Sequence, residues 1–534
     1  MIWSLRSNGD SVGVLLRGGL LKATALASLA LTACVGSQTA MTSSMPGDAA
    51  EARLFGEVYE SLIQYHLEAT EAGTLTLAGL AHLPAVDPAL SATREGNFVV
   101  LHRGEDSWRF EAPQPFDSVE WGKLTASLLA TARQASSAVA TEPIDRLDEG
   151  VIDTTLATLD PFSHYARPAL AREWRAARDG YGGIGVILDN DDGGVRITSV
   201  MADSPAALAG LRIDDRIVAL DGVLSASLSS NELRQRLRGP DSSEVELRIQ
   251  RAGLEKPMVM AIKRMHLVPP TVTFKPAGDI AVIKITSFNQ STGPGIVTAL
   301  ARAHREMGAA LRGIVLDLRD NPGGLLDQSI EVVSQFVQSG TIVTTIGRNP
   351  ESFQYFAAPN DHHAEKLPLA ILVNGGSASA SEIVSSSLQD DGRAIVIGTA
   401  SFGKGTVQTV LRTSNDGELT VTWARLVTPK GYILHHHGVV PTVCTAGLGD
   451  NANVNALVQK SPRTDLLTPR DELSDDGWIA LRAACPADRK DRAVDLKAAQ
   501  QILDHPAIYA RMLNHDSAVP TVNLAHNMTA VSAH

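Results

Sequence analysis

Cysteine is scarce in this chain, with three residues in 534, which excludes a small disulfide-framed scaffold. Aromatic residues are only 4% of the sequence, too few for the stacking platforms that hold single-stranded nucleic acid. Concentrated positive charge is also missing. The 47 Lys and Arg are outnumbered by 59 Asp and Glu, for a net charge of −12. No segment carries a basic stripe, and a nucleic-acid partner is therefore disfavoured. No apolar run approaches the roughly 18 residues of a membrane-spanning helix. What remains is an ordinary globular mixture, 44% hydrophobic and 20% charged. Collagen-like, coiled-coil and wholly disordered chains are excluded by that mixture. At about 100–200 residues per domain, the length accommodates three or four domains.

The N-terminus reads as a targeting segment. Arg6, Arg17 and Lys22 precede an uninterrupted small and apolar run, Ala23 to Ala33, the pattern of a secretory signal. The run ends in Leu31-Thr32-Ala33-Cys34, which resembles the lipobox of bacterial lipoproteins, where the Cys is acylated and becomes the first mature residue. Cys34 is thus the expected lipidation site, and residues 34–50 a small, polar tether. Removing residues 1–33 takes away three positive charges and one negative, leaving −14. Anionic lipid offers such a protein no attraction, so its membrane hold must come from acyl chains. The residue after Cys34 is Val35, not Asp, and the outer membrane is therefore favoured over the inner. The expected location is the periplasmic side of a bacterial envelope. Cys444 and Cys485 then remain in an oxidising compartment, and a disulfide between them is expected.

Leu54, Phe55, Val58, Tyr59 and Leu62 fall at helical spacing, predicting a helix over 51–67. Val119–Ala135 and Leu147–Leu159 read as further helices, and Phe98–Leu101 with Trp108–Phe110 as a hairpin. From Tyr181 short β-rich runs alternate with Gly- and Asp-containing turns, predicting strands at 183–188, 195–200, 216–220 and 244–250. Helices are expected at 204–210 and 230–237. From Asp279 strands alternate with helices: strands at 280–285, 313–318, 369–373 and 394–397, and helices at 295–307, 325–337 and 381–388. Alternation of this kind defines an α/β domain with crossover connections. The signal weakens after Cys444, where only Val494–Leu503 reads as helix. Residues 515–534 read as a frayed tail.

The chemistry concentrates in residues 374–408, NGGSASASEIVSSSLQDDGRAIVIGTASFGKGTVQ. A Gly-rich turn follows a buried strand, a run of small residues opens a helix, and a lone Lys404 sits between glycines. A Ser at a strand-to-helix turn exposes its hydroxyl and sets the next N–H beside a developing oxyanion. It needs a base, and no His lies in this segment. A Lys serves where apolar burial disfavours its charged form.

This segment resembles the active site of the C-terminal processing proteases, the S41 serine peptidases with a Ser–Lys dyad. The resemblance implies that Ser379 is the nucleophile, Lys404 the general base, and Gln408 the residue that orients Lys404. GIVLDLRDNPGG at 313–324 resembles the family's loop beside the active site. It implies an oxyanion hole from Gly324, with Gly323 as the alternative, and Ala380. YGGIGV at 181–186 resembles the carboxylate-binding loop of a PDZ domain, so Gly182, Gly183, Ile184, Gly185 and Val186 are the expected peptide-binding residues. Leu159-Asp160-Pro161-Phe162-Ser163 resembles the motif before that domain, with Phe162 where His is commoner. Gly438-Val439-Val440-Pro441 resembles the end of the protease core.

The fold class implied is multidomain α/β: a helical N-terminal region, a β-rich PDZ domain, and an α/β, crotonase-like (ββα) Ser–Lys protease core. The expected boundaries are 1–33 signal, 34–50 tether, 51–180 helical region, 181–265 PDZ domain, 266–443 protease core and 444–534 C-terminal extension. The expected function is an envelope serine endopeptidase acting on protein substrates with exposed C-termini. No metal, nucleotide or organic cofactor is implied. An adaptor and a homo-oligomer both stay open as partners.

Simpler readings compete. Ser379-Ala380-Ser381-Glu382 also fits a helix-capping box. Ser401-Phe402-Gly403-Lys404 fits the S-x-x-K of penicillin-binding enzymes, but S-D-N and K-T-G are both missing and the flanking glycines disfavour the helix that motif requires. His435-His436-His437 invites a metal, yet adjacent strand residues alternate faces and cannot all reach one ion. Arg319 and Asp320 are read either as loop-ordering charges or as surface. An inactive PDZ scaffold that recruits envelope partners is the alternative function.

Overall fold

The computed structural model describes residues 2–4, 48–191, 194–359, 364–454, 473–490 and 492–517. The expected signal run, the lipidation site Cys34 and most of the tether lie outside the described residues, as does the tail beyond 517. The chain forms two compact units. Among the described residues, one falls within 4–167 and 409–422, the other within 1–3, 168–408 and 423–534.

The first unit is built on helices. Ala49–Tyr65 buries Leu54, Phe55, Val58, Tyr59 and Leu62, the residues whose spacing announces it. It packs against Ser118–Ala135 closely enough that a Cβ on Gly122 would lie 2.5 Å from the Ala52 carbonyl oxygen. Only glycine lets the two backbones approach this far. Asp48 and Asp117 cap the two helices by accepting the amides of Ala50 and Glu120. The expected hairpin is the second half of a three-stranded meander, Leu90–Glu95, Phe98–Arg103 and Asp106–Glu111. Its first strand is largely exposed and has no apolar alternation to betray it.

In this unit Asp160 collects five hydrogen bonds. Its carboxylate accepts from the Phe162 and Ser163 amides (2.8 and 2.9 Å), Thr422 Oγ1 (2.9 Å), Ser163 Oγ (2.5 Å) and His66 Nε2 (3.1 Å). Burial pushes the carboxyl up, but these donors outweigh burial and hold it well below the usual range. The motif at 159–163 is thus a structural knot that joins distant stretches of one unit.

The second unit contains a β-rich module whose sheet runs Met258–Lys263, Glu244–Gln250, Arg216–Leu220, Gly194–Val200, Val186–Asp191. Its core is Ile184, Val195, Ile197, Leu211, Ile217, Leu220, Leu233, Val245, Leu247 and Ile249. The expected single strand at 183–188 is broken. Tyr181–Gly183 pairs with Met265–Leu267, and Gly185, at φ +84°, turns the chain before Val186. Among the described residues, Val186–Asp191 pairs with Gly194–Val200 alone and forms one border of its sheet. The helix Ser230–Leu237 carries a closed capping box between Ser229 and Glu232. Its Ser230 hydroxyl meets Asn190 of the border strand at 3.0 Å.

The remaining sheet orders Val272–Ala277, Ile280–Ile285, Gly313–Asp317, Leu369–Val373, Ile395–Gly398 and Val443–Cys444. Its first pair is antiparallel and the others are parallel. Strands buried on both faces explain the continuous apolar runs GIVLD and LAILV. The segment after 444 is more than an appendage. Ala498, Ala499, Ile502 and Leu503 of the helix Ala493–Leu503 share a core with Val315, Ala370, Leu372, Ile395 and Ile397 of the sheet. The stretch 409–422 groups with the helical unit. It takes in the last residues of the strand Thr406–Arg412 and the first half of Glu418–Val427.

Candidate active site

Ser379 ends the loop that follows the central strand Leu369–Val373 and precedes the buried helix Ala380–Asp390. Its backbone is in the left-handed half of conformational space, φ +57° and ψ −113°, a strained geometry for a residue with a side chain. The loop is held there by neighbours. Asn321 accepts the Ala378 amide (3.0 Å) and the Ser381 hydroxyl (2.9 Å) at its carbonyl oxygen, and Ser377 donates to the Leu318 carbonyl (2.8 Å). The Ser379 side chain is 1% exposed, and its Oγ has no hydrogen-bond partner. A buried hydroxyl left unbonded on a strained turn is a group held ready for another partner.

The expected capping box around Ser379 and Glu382 is present, though Oγ makes no full hydrogen bond in it. Glu382 reaches back to the Ser379 amide at 2.7 Å, but the Glu382 amide goes to the Ser379 carbonyl at 2.8 Å and leaves Oγ unengaged. The fully buried Glu382 carboxylate accepts three further donors: Ser401 Oγ (2.5 Å), the Gly403 amide (2.6 Å) and the Lys404 amide (2.9 Å). Each oxygen takes two donors, which fills the acceptor capacity of an ionised carboxylate. Burial pushes the Glu382 carboxyl above its usual range, and the four donors oppose that rise. Glu382 thereby ties the residue bearing the hydroxyl to the loop bearing the lysine.

That loop has little freedom. Phe402 donates to the Ser377 carbonyl, and the Gly403 carbonyl accepts from His436. A Cβ on Gly405 would sit 1.9 Å from the His435 nitrogen, so only glycine fits there. Ser401, the competing nucleophile, donates to Glu382 and accepts the Val439 amide at 2.7 Å. Its hydroxyl is consumed in structure. Gln408 is 1% exposed and donates to Thr406 Oγ1 at 2.9 Å.

Of the two amides expected to face an oxyanion, that of Ala380 directly follows Ser379. Ala380 is the first residue of its helix, where an amide has no intrahelical acceptor. Gly323 lies so close that a Cβ there would meet Ser379 Cβ at 2.8 Å and the Ala380 nitrogen at 2.9 Å. Its own amide is committed to Asn321 Oδ1 at 2.9 Å, which leaves the next amide, Gly324, as the candidate. Arg319 is not a surface residue. It is 6% exposed and binds both oxygens of Asp317, the Arg492 carbonyl and Asp495.

Cys444 and Cys485 are joined by a disulfide with Cα atoms 5.9 Å apart. The histidines split. His435 and His436 have ring centroids 3.8 Å apart, and His437 stacks on Trp478 at 4.3 Å. Among the described residues, no group of three His, Cys, Asp or Glu is arranged to hold a metal ion, and no helix is long and apolar enough to cross a membrane. Sequence reasoning reached Ser379, Lys404 and Gln408 but saw Glu382 only as a cap and did not reach Arg482, described below. The paired glycine loops were the signal available for Glu382; nothing local marks Arg482.

An unbonded serine hydroxyl on a strained elbow is thus tied through one buried carboxylate to a glycine-flanked lysine loop. A model of peptidase family S41 matches residues 279–445, and a PDZ-domain model matches 196–251. The "Carboxy-terminal-processing protease" of Bartonella bacilliformis is 37% identical over 300 residues, covering 56% of this chain and 69% of that protein. The "Probable CtpA-like serine protease" of Staphylococcus aureus is 33% identical over 305 residues, covering 56% and 60%. Among solved structures, the photosystem II D1 C-terminal processing protease aligns at 24% identity and TM-score 0.37, covering 74% of this chain and 92% of that one. The peptide-bound PDZ domain of the carboxy-terminal protease from Vibrio cholerae aligns at 31% and TM-score 0.16, covering 16% and 96%. Both superpositions are too loose to carry an argument. The chain belongs to peptidase family S41, among the carboxy-terminal-processing proteases, and combines the protease core with a PDZ domain.

Proposed function

We propose that this protein is an envelope endopeptidase that cleaves protein substrates recognised by their C-terminal tails, through a Ser379–Lys404 acyl-enzyme mechanism. The observation that carries the reading is the shared Glu382 carboxylate, which sets the main chains of Ser379 and Lys404 side by side while leaving Ser379 Oγ unbonded. Neutral Lys404 Nζ takes the proton from Ser379 Oγ as the oxygen attacks the scissile carbonyl carbon. The carbonyl π electrons move to oxygen, and the resulting oxyanion is held by the Ala380 and Gly324 amides. Collapse breaks the C–N bond, and the departing amine receives the proton from Lys404. Water, deprotonated by Lys404, then hydrolyses the ester and restores Ser379. Gln408 orients Lys404 from the adjoining strand.

The PDZ domain would receive the substrate tail as an added strand along Val186–Asp191, its carboxylate on the amides around Gly182–Val186. The border position of that strand and the turn at Gly185 support this role. Cys34 would carry the acyl anchor, placing the enzyme on the periplasmic side of the envelope with the outer membrane favoured. The direct test is degradation of an unstructured protein with an apolar C-terminus by residues 35–534. The parent cleaves it, and Ser379→Ala and Lys404→Ala do not. Adding a C-terminal Lys or Asp to the substrate weakens its capture. A parent that cleaves equally well after Ser379→Ala sinks the mechanism.

A further inference from the structure

Beyond the segment matched by the S41 family, which ends at residue 445, the chain returns to the active site. The helix Asp475–Ala484 buries Trp478 and Leu481. From its last turn Arg482 donates Nη1 to the His437 carbonyl at 2.5 Å and Nη2 to the Ser401 carbonyl at 3.0 Å. One turn earlier, Trp478 stacks on the His437 ring with planes only 10° apart. Three residues later, Cys485 is bonded to Cys444 at the end of the core sheet. Further on, the Asp488 carbonyl accepts the Gly375 amide at 2.6 Å and Thr399 Oγ1 at 3.2 Å. One segment thus clamps the loop that leads to Ser379, the residues just before Lys404, and the 436–437 turn whose His436 amide donates to the Gly403 carbonyl.

Arg482 occupies the pivotal position in that clamp. Ser401 accepts the guanidinium at its carbonyl oxygen and donates its hydroxyl to Glu382 in a hydrogen bond. A Cβ on Gly438 would lie 2.6 Å from Ser401 Oγ, 2.8 Å from Arg482 Nη1 and 3.1 Å from Glu382 Oε1, which shows how tightly the three groups meet. Burial lowers the Arg482 guanidinium from its usual range, and the Glu382 charge opposes that fall. The cation thus faces the buried anion that binds both catalytic loops. A planar fork that engages two carbonyls at once is a task an ammonium point charge cannot reproduce.

We propose that Arg482 is a positioning residue for the Ser379–Lys404 pair, supplied by the disulfide-tied C-terminal segment, and that it fixes the 401–405 loop through Ser401 and Glu382. The reactive consequence rests on the dyad reading above; the loop-fixing consequence does not.

The test compares Arg482→Met and Arg482→Lys with the parent, residues 35–534, by peptidase kinetics and by hydrogen exchange of the 399–405 amides. In Arg482→Met, kcat falls by about 10–100-fold with KM changed by less than about twofold, as expected for losing two charge-assisted hydrogen bonds remote from the substrate. The Gly403 and Lys404 amides exchange at least about tenfold faster, while those of 280–285 do not change. Arg482→Lys recovers part of both effects, and it carries the test if the Met variant does not fold. Unchanged exchange at 399–405 in the folded variants overturns the inference, whatever the activity. Faster exchange in a protein whose parent cleaves nothing keeps the positioning role and rejects the protease chemistry.

Discussion

Ser379 and Lys404 hang their backbone amides from the same oxygen atom, Oε2 of Glu382, at 2.7 and 2.9 Å. The two loops that the proposed mechanism brings together are therefore registered by a third, fully buried side chain, and that registration is independent of any contact between the Ser379 hydroxyl and the Lys404 amine. Such an arrangement fits a site built for precise positioning, where small displacements of a nucleophile and its base are expensive in rate.

Glu382→Gln should show what that registration is worth. The amide is isosteric, but one end becomes a donor and must face amide N–H groups or the Ser401 hydroxyl. Losing hydrogen bonds to a charged acceptor costs about 1.5–3 kcal/mol, hence about 10–100-fold in kcat. KM for a peptide substrate should move little, because Glu382 does not touch substrate. Steady-state kinetics on the folded variant check this, and an unchanged kcat would remove Glu382 from the account.

If Lys404 is the base, kcat must rise with pH on its acidic limb, with a slope of one on a logarithmic plot, and level off once the amine is neutral. The profile is measured on the parent with a small peptide, which avoids pH effects on substrate folding. A rate that stays flat into acid contradicts the assignment.

Acid should loosen the helical unit through Asp160. Its carboxyl is held below the usual range in the folded chain. The associated stability is present above the unfolded carboxyl's ordinary pKa and is lost as pH falls from there toward the depressed folded value. Asp160→Asn should remove about 2–3 kcal/mol at neutral pH, as donors from His66 and Ser163 lose a charged acceptor. It should also flatten the acid dependence between about pH 5 and 2. Denaturant unfolding of both proteins at neutral and acid pH gives the answer.

The Cys444–Cys485 bond closes a loop of 41 residues. On the chain-entropy argument its removal lowers stability by about 4 kcal/mol at most. The Cys444→Ser, Cys485→Ser double variant should unfold at lower denaturant concentration than the parent. It should also resemble Arg482→Met in faster exchange at 399–405, because both release the same clamp. Equal midpoints with and without the bond would refute a stabilising role.

How much of this was legible beforehand follows from where the signals lie. Leu54, Val58 and Leu62 announce their helix, and the strands Ile280–Ile285 and Leu369–Val373 fall where apolar runs predict them. The strand Glu418–Val427 was not anticipated. Its first half, ELTVTW, does alternate polar with apolar residues, a strand signal that went unread, and the fold buries the threonines along with the apolar residues. Met258–Lys263 and Leu90–Glu95 were missed because few of their residues are buried. At the site, Ser379 and Lys404 are marked by local glycine context. Arg482 is not, because its partners are the main-chain carbonyls of Ser401 and His437. Any residue type presents those carbonyls, and no periodicity or motif encodes such a contact. The same holds for Asp488, whose carbonyl serves Gly375.

The central claim, that Ser379 is the nucleophile and Lys404 its base, is tested most directly by labelling the parent with a fluorophosphonate and locating the adduct by peptide mass spectrometry. Tryptic cleavage separates the two candidate serines, since Lys366, Arg393 and Lys404 place Ser379 and Ser401 in different peptides. The account predicts an adduct on the 367–393 peptide at Ser379, abolished by Lys404→Ala and retained in Ser401→Ala. An adduct at Ser401, or proteolysis that persists with Ser379 unlabelled, would contradict it.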